Sequence, residues 1–190
     1  MSIPAAGAAW SQGDDDTGLA DVERRTIATD DVVETASPPG DRSSPIADPA
    51  LGAAPALRLA IVTCMGARID PRALFGLRPG DAHVIRNAGA LVTDDVIRSL
   101  ALSQRVLGTR AVILLAHTGC GLQGLDEQAL RERIVAETGY DVPVDFGAFD
   151  GLEAHVRAQV ATLLAHPWSA ALSVQGLVFD VATGRLRHVA

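Results

Sequence analysis

Apolar residues fall along this chain in short blocks separated by turn signals. Leu57–Thr63 and Ala111–Ala116 are apolar at almost every position. Unbroken runs of this length read as strands buried on both faces. Ala82–Arg86 reads as a further strand, and Leu172–Val181 as a last one. Helical spacing fills the gaps between them. Pro71 opens a short helix through Ala73, Leu74 and Phe75, ending near Gly76. Thr93 is an N-cap with Asp94 and Asp95 in the first turn, and the helix runs through Val96, Ile97, Leu100, Ala101 and Val106 to Gly108. A third helix covers about Asp126 to Glu137 and stops at Gly139; a fourth covers Leu152–Ala165, before Pro167. Residues 141–148 form a loop, and Thr183-Gly184 turns the chain back towards Leu186. Strands alternating with helices predict an α/β fold, a mainly parallel β-sheet flanked by helices.

Charge divides the chain in two. Residues 1–55 hold ten acidic residues and three Arg, so the whole net charge of −7 lies there, while 56–190 balance to zero. The first segment is rich in Ala, Gly, Asp, Ser and Pro and cannot bury enough apolar area to offset its ordering entropy. It is read as an acidic, disordered tail, in which Leu19–Thr35 could form a short helix packed on a partner subunit. Residues 56–190 are the folded domain. Neither part is basic enough for nucleic acid. No apolar run approaches the roughly 18 residues of a membrane span, and the N-terminus lacks a signal-peptide pattern.

Cys64 and Cys120 are the only cysteines. Both follow an apolar run, and His117 precedes the second by three positions. Two thiolates and an imidazole are the ligand set of a Cys₂His zinc site with a fourth position open. Two buried free cysteines and a hydrogen-bonded histidine would also fit the pattern. The strand-end placement favours the metal, because parallel strands gather their carboxyl ends where open α/β sheets bind ligands. With no disulfide framework, a cytoplasmic location is expected.

The segments Cys64-Met65-Gly66-Ala67-Arg68-Ile69-Asp70, Val84-Ile85-Arg86-Asn87-Ala88-Gly89 and His117-Thr118-Gly119-Cys120-Gly121 together resemble the β-class carbonic anhydrases, in their short bacterial branch. The likeness extends through Thr93–Leu100 and Gly176–Gly184 and spans about 57–190. It implies a zinc lyase acting on CO₂ and bicarbonate, a homodimer or larger assembly of dimers, and Zn²⁺ on Cys64, His117 and Cys120.

The family pattern Cys-x-Asp-x-Arg is kept at Arg68 and broken at Gly66, where the Asp would stand. In the family that carboxylate either accepts a hydrogen bond from water on zinc or swings onto the metal and shuts the site. Glycine can do neither, so impaired activity is expected. Asp70 is read as a helix cap rather than a substitute. Arg68 is the candidate that offsets thiolate charge and holds the anionic product. Arg86 and Asn87 lie at the same strand edge, where they shape the pocket, an interface or plain packing. His83 is read as a satisfied core or interface histidine, His155 and His166 as partly solvated, and Asp94 with Arg98 as a helix-face pair. Two other functions fit: hydrolysis of a carbon–sulfur analogue such as COS or CS₂, or a non-catalytic, zinc-stabilised binding protein.

Overall fold

The computed structural model describes residues 50–170 and 173–190. The tail helix expected at Leu19–Thr35 lies outside them, as does residue 172. Among the described residues ten elements include five strands: β1 (Leu59–Cys64), β2 (Ala82–Asn87), β3 (Ala111–His117), β4 (Ser173–Asp180) and β5 (Arg185–His188). The four α-helices are α1 (Pro71–Leu74), α2 (Asp94–Arg105), α3 (Glu127–Thr138) and α4 (Leu152–Ala165), with a 3₁₀ turn at Ala88–Ala90.

The strands form one sheet in the order β2-β1-β3-β4-β5. The first three pairings are parallel and β4–β5 is antiparallel. β1 and β3 are buried at every residue, as their unbroken apolar runs require. Their side chains alternate between two cores. Leu59, Ile61, Ile113 and Leu115 pack with Phe75, beyond α1. Ala60, Val62 and Val112 face Val96, Ile97 and Leu100 of α2 and Leu163 of α4, while Leu114 and Ala116 meet Leu152, Val156 and Val160 of α4.

Local chemistry sets the helix ends. Asp70 Oδ1 accepts from the backbone N–H groups of Arg72 and Ala73, so Asp70 is a cap, as expected. Thr93 caps α2 and Asp126 caps α3 through side-chain oxygens. Gly139 ends α3 at φ 77°, a left-handed conformation that glycine adopts without a Cβ penalty. No residue of α3 is buried. Arg98 pairs with Asp95 at i,i+3 rather than with the expected Asp94 at i,i+4, both spacings lying on one helix face.

The order of strands positions the site. The chain leaves β1 for β2 on one side, while β3 passes its connection to β4 on the other. The carboxyl ends of β1 and β3 therefore flank a topological switch point, where open α/β sheets hold ligands.

Candidate metal centre

Cys64 is the last residue of β1 and His117 the last of β3. Cys120 follows on a tight turn in which Gly119 has φ 66°. All three side chains are buried, and their ligand atoms lie within 4.8 Å of one another. The two sulfurs are 3.8 Å apart. Two sulfurs at about 2.3 Å on one tetrahedral zinc would stand about 3.8 Å apart.

The imidazole is set for the same purpose. His117 Nδ1 lies 3.0 Å from the Thr118 carbonyl. A carbonyl only accepts, so Nδ1 carries the proton and Nε2 presents a lone pair. That Nε2 is buried with no hydrogen-bond partner. An orphaned acceptor aimed at two thiols is costly unless a cation occupies the space between them. Burial pushes the Cys120 thiol above its ordinary pKa, neighbouring Cys64 adds to the rise, and hydrogen bonds from the Leu122 and Gln123 backbone oppose it. The donor set and its spacing fit a metal ion.

Long-range contacts hold the second ligand turn. The Thr118 amide donates to the Phe179 carbonyl at 3.0 Å, and Thr118 Oγ1 accepts from the Val181 amide at 3.1 Å, fastening the turn to the end of β4. Arg68 reaches across from the first ligand loop and donates to the Gly119 carbonyl. Arg68 is exposed, and among the described residues no carboxylate pairs with it. Gly66 lies against His117: a Cβ built there would stand 2.6 Å from Nε2 and 3.1 Å from Cε1. The Gly66 amide also donates to Cys64 Sγ at 3.4 Å.

Around the ligands Ile69 is buried, and Leu122, Phe149, Phe179 and Val181 pack against the same group. Phe149 stacks on His155, with ring centroids 3.9 Å apart and planes 14° from parallel. His155 is 7 % exposed and donates from Nε2 to the Gly89 carbonyl at 2.8 Å. This corrects the partly solvated placement expected for it; Gly89 and Phe149, both remote in sequence, enclose the ring. His83 has both ring nitrogens engaged, with Ser103 Oγ and the Ala53 carbonyl, as a satisfied histidine should. Arg86 and Asn87 stand at the carboxyl end of β2, and Asn87 brackets the 3₁₀ turn through two hydrogen bonds with the Leu91 backbone. The wall residues Leu122, Phe149 and Val181 carried no signal of their own in the sequence, being single apolar residues in loops or at a strand end.

An open α/β sheet with two thiols and an imidazole at its switch point defines a class, that of α/β proteins able to hold a metal with one coordination position left free. The family model for carbonic anhydrase matches residues 59–138. Beta-carbonic anhydrase 1 of Mycobacterium tuberculosis is 45 % identical over 136 residues, covering 71 % of this chain and 83 % of that protein. The carbon disulfide hydrolase of Acidithiobacillus thiooxidans is 30 % identical over 151 residues, covering 68 % and 76 %. The crystal structure of carbonic anhydrase from Streptococcus mutans superposes with a TM-score of 0.69 at 41 % identity, covering 72 % of this chain and 84 % of that one. The chain belongs to the β-carbonic anhydrase family.

Proposed function

We propose that this chain is a zinc-dependent carbonic anhydrase that interconverts CO₂ and bicarbonate at Cys64, His117 and Cys120. One observation carries the reading: the buried, partnerless Nε2 of His117 faces two sulfurs spaced as a single tetrahedral zinc requires. Zinc bound there would lower the pKa of its water to about 7, making hydroxide available at neutral pH.

The chain's own residues do the rest. Leu122, Phe149 and Val181 surround the sulfurs with apolar surface, which suits an uncharged linear substrate and keeps bulk water back. Arg68 spends one donor on the Gly119 carbonyl and keeps others for an anion, so it holds bicarbonate as negative charge develops. Gly66 offers no carboxylate to accept a proton, and turnover is correspondingly low; a positioned acid–base group is typically worth about 10²- to 10⁴-fold. Two reduced thiols call for a reducing compartment, and we place the protein in the cytoplasm.

Similarity to a carbon disulfide hydrolase supports a second reading, hydrolysis of CS₂ or COS at the same centre. Stopped-flow CO₂ hydration by the zinc-loaded protein separates the two. We expect hydration well above the buffer rate, lost in His117→Ala. Hydration no faster than buffer, with sulfide released from CS₂ under the same conditions, would overturn the first reading in favour of the second.

A further inference from the structure

The loop that follows Cys64 is tied at its start to β2, where the Met65 amide donates to the Asn87 carbonyl at 2.8 Å, and near its end by the buried Ile69. Residues 65–70 contain no regular element, and Gly66 brings maximal backbone freedom and no side chain to anchor. Within the loop the Ile69 amide donates to the Gly66 carbonyl at a long 3.3 Å. The pose of this loop places the Gly66 amide on the Cys64 sulfur at 3.4 Å.

Arg86 adds a side-chain restraint from β2 along the whole loop. It sits opposite Thr63 in the β1–β2 register, one residue short of the end of β2. Its Nε donates to the Cys64 carbonyl at 3.1 Å, and its Nη2 donates to the carbonyls of Gly66 at 2.8 Å and Ile69 at 3.2 Å. One planar cation thus gathers three carbonyls from the start, middle and end of the loop. Hydrogen bonds from a charged donor are roughly twice as strong as neutral ones. Among the described residues no carboxylate pairs with Arg86. Arg68, on the same loop, then ties it to Gly119 beside the third ligand. The restraint runs from β2 through Arg86 to the Cys64 loop, and from there through Arg68 to the Cys120 turn.

We propose that Arg86 is a positioning residue of the metal centre, holding the Cys64 loop at the geometry in which its sulfur meets Cys120 and His117. The proposal rests on the reading that these three residues hold zinc. Arg86 touches none of the ligand atoms and acts only through the backbone that carries Cys64. A lysine would not replace it, because an ammonium on a flexible stem has no fixed fork to span three carbonyls.

The test uses the full chain as parent, Arg86→Ala, Arg86→Lys and, as a control on the far-exposed helix face, Arg98→Ala. Zinc affinity is read by competition with a chromophoric chelator, and site geometry by the visible spectrum of the Co(II)-substituted protein. Partners one bond removed from a metal ligand typically contribute about 10- to 100-fold in affinity. Arg86→Ala should lose affinity on that order and shift the cobalt bands; Arg86→Lys should stay within a few-fold of Arg86→Ala; Arg98→Ala should match the parent. Should Arg86→Ala not fold, Arg86→Lys carries the same comparison. Parental affinity and an unchanged cobalt spectrum in the folded variants would overturn the proposal. So would an equal loss of stability in metal-free and zinc-loaded forms with affinity unchanged, which would make Arg86 merely structural. A parent that binds no zinc would overturn the zinc reading as well, whereas a zinc-binding parent with unaffected variants defeats Arg86 alone.

Discussion

At Gly66 the absent side chain acts on two properties in opposite directions. A carboxylate there would supply a proton acceptor beside the open metal position. A Cβ there would lie 2.6 Å from His117 Nε2, so the ring or the loop would have to yield. We predict that Gly66→Asp raises CO₂ turnover at saturating zinc by on the order of 10²-fold, while weakening zinc retention several-fold. Hydration rates with zinc in excess check the first effect and chelator competition checks the second. A variant no faster than its parent would remove the role assigned to the lost carboxylate. The three candidate ligands were legible because a Cys or His that ends an apolar run is forced to one edge of a parallel sheet. The bonds of Arg86 were not, because its carbonyl partners are chosen by strand register and a loop pose, neither of which leaves a mark on the sequence.

Among the elements, β1, β3 and the four helices follow the apolar pattern within a residue or two. β5 is different. Arg185-Leu186-Arg187-His188 has no apolar run, and it forms because β4 offers an edge and Asp180 accepts from the amides of Ala182 and Thr183 to turn the chain. α4 was placed correctly but its histidine was not, since the groups that bury His155 come from a 3₁₀ turn and a loop. Burial pushes the His155 pKa below its ordinary value, and the bond to Gly89 opposes this more weakly. An unfolded chain takes up this proton near pH 6.5, and the folded chain only at lower pH. Stability should therefore fall as pH drops below about 6.5 and level off below the folded value. His155→Gln keeps a donor for the Gly89 carbonyl and cannot titrate. Urea midpoints at about pH 7.5 and about pH 5.5 should differ less for this variant than for the parent; equal differences would show that His155 is not the group responsible.

On the scale of the whole molecule, the two ends of the sheet are unlike. β5 closes one end as a short Arg-bearing edge strand, a common guard against edge pairing. β2 forms the other end; none of its residues is buried, and Met65 next to the first ligand is 66 % exposed. We propose that a second copy of the chain covers this side, giving a homodimer or an assembly of dimers. Sedimentation should then give at least twice the chain mass of 19.8 kDa at micromolar concentration, and a monomer would contradict it. No helix of the described residues is long and apolar enough to cross a membrane. The acidic balance of residues 1–55 sets the net charge of the molecule. The function proposed above requires that β1 and β3 bring two thiolates and one imidazole onto a single zinc. X-ray absorption at the zinc edge of the purified protein reads that directly. We predict two sulfurs at about 2.3 Å and two lighter donors at about 2.0 Å, one from His117 and one from the open position. A shell without two sulfurs, or protein that retains no zinc, would contradict it.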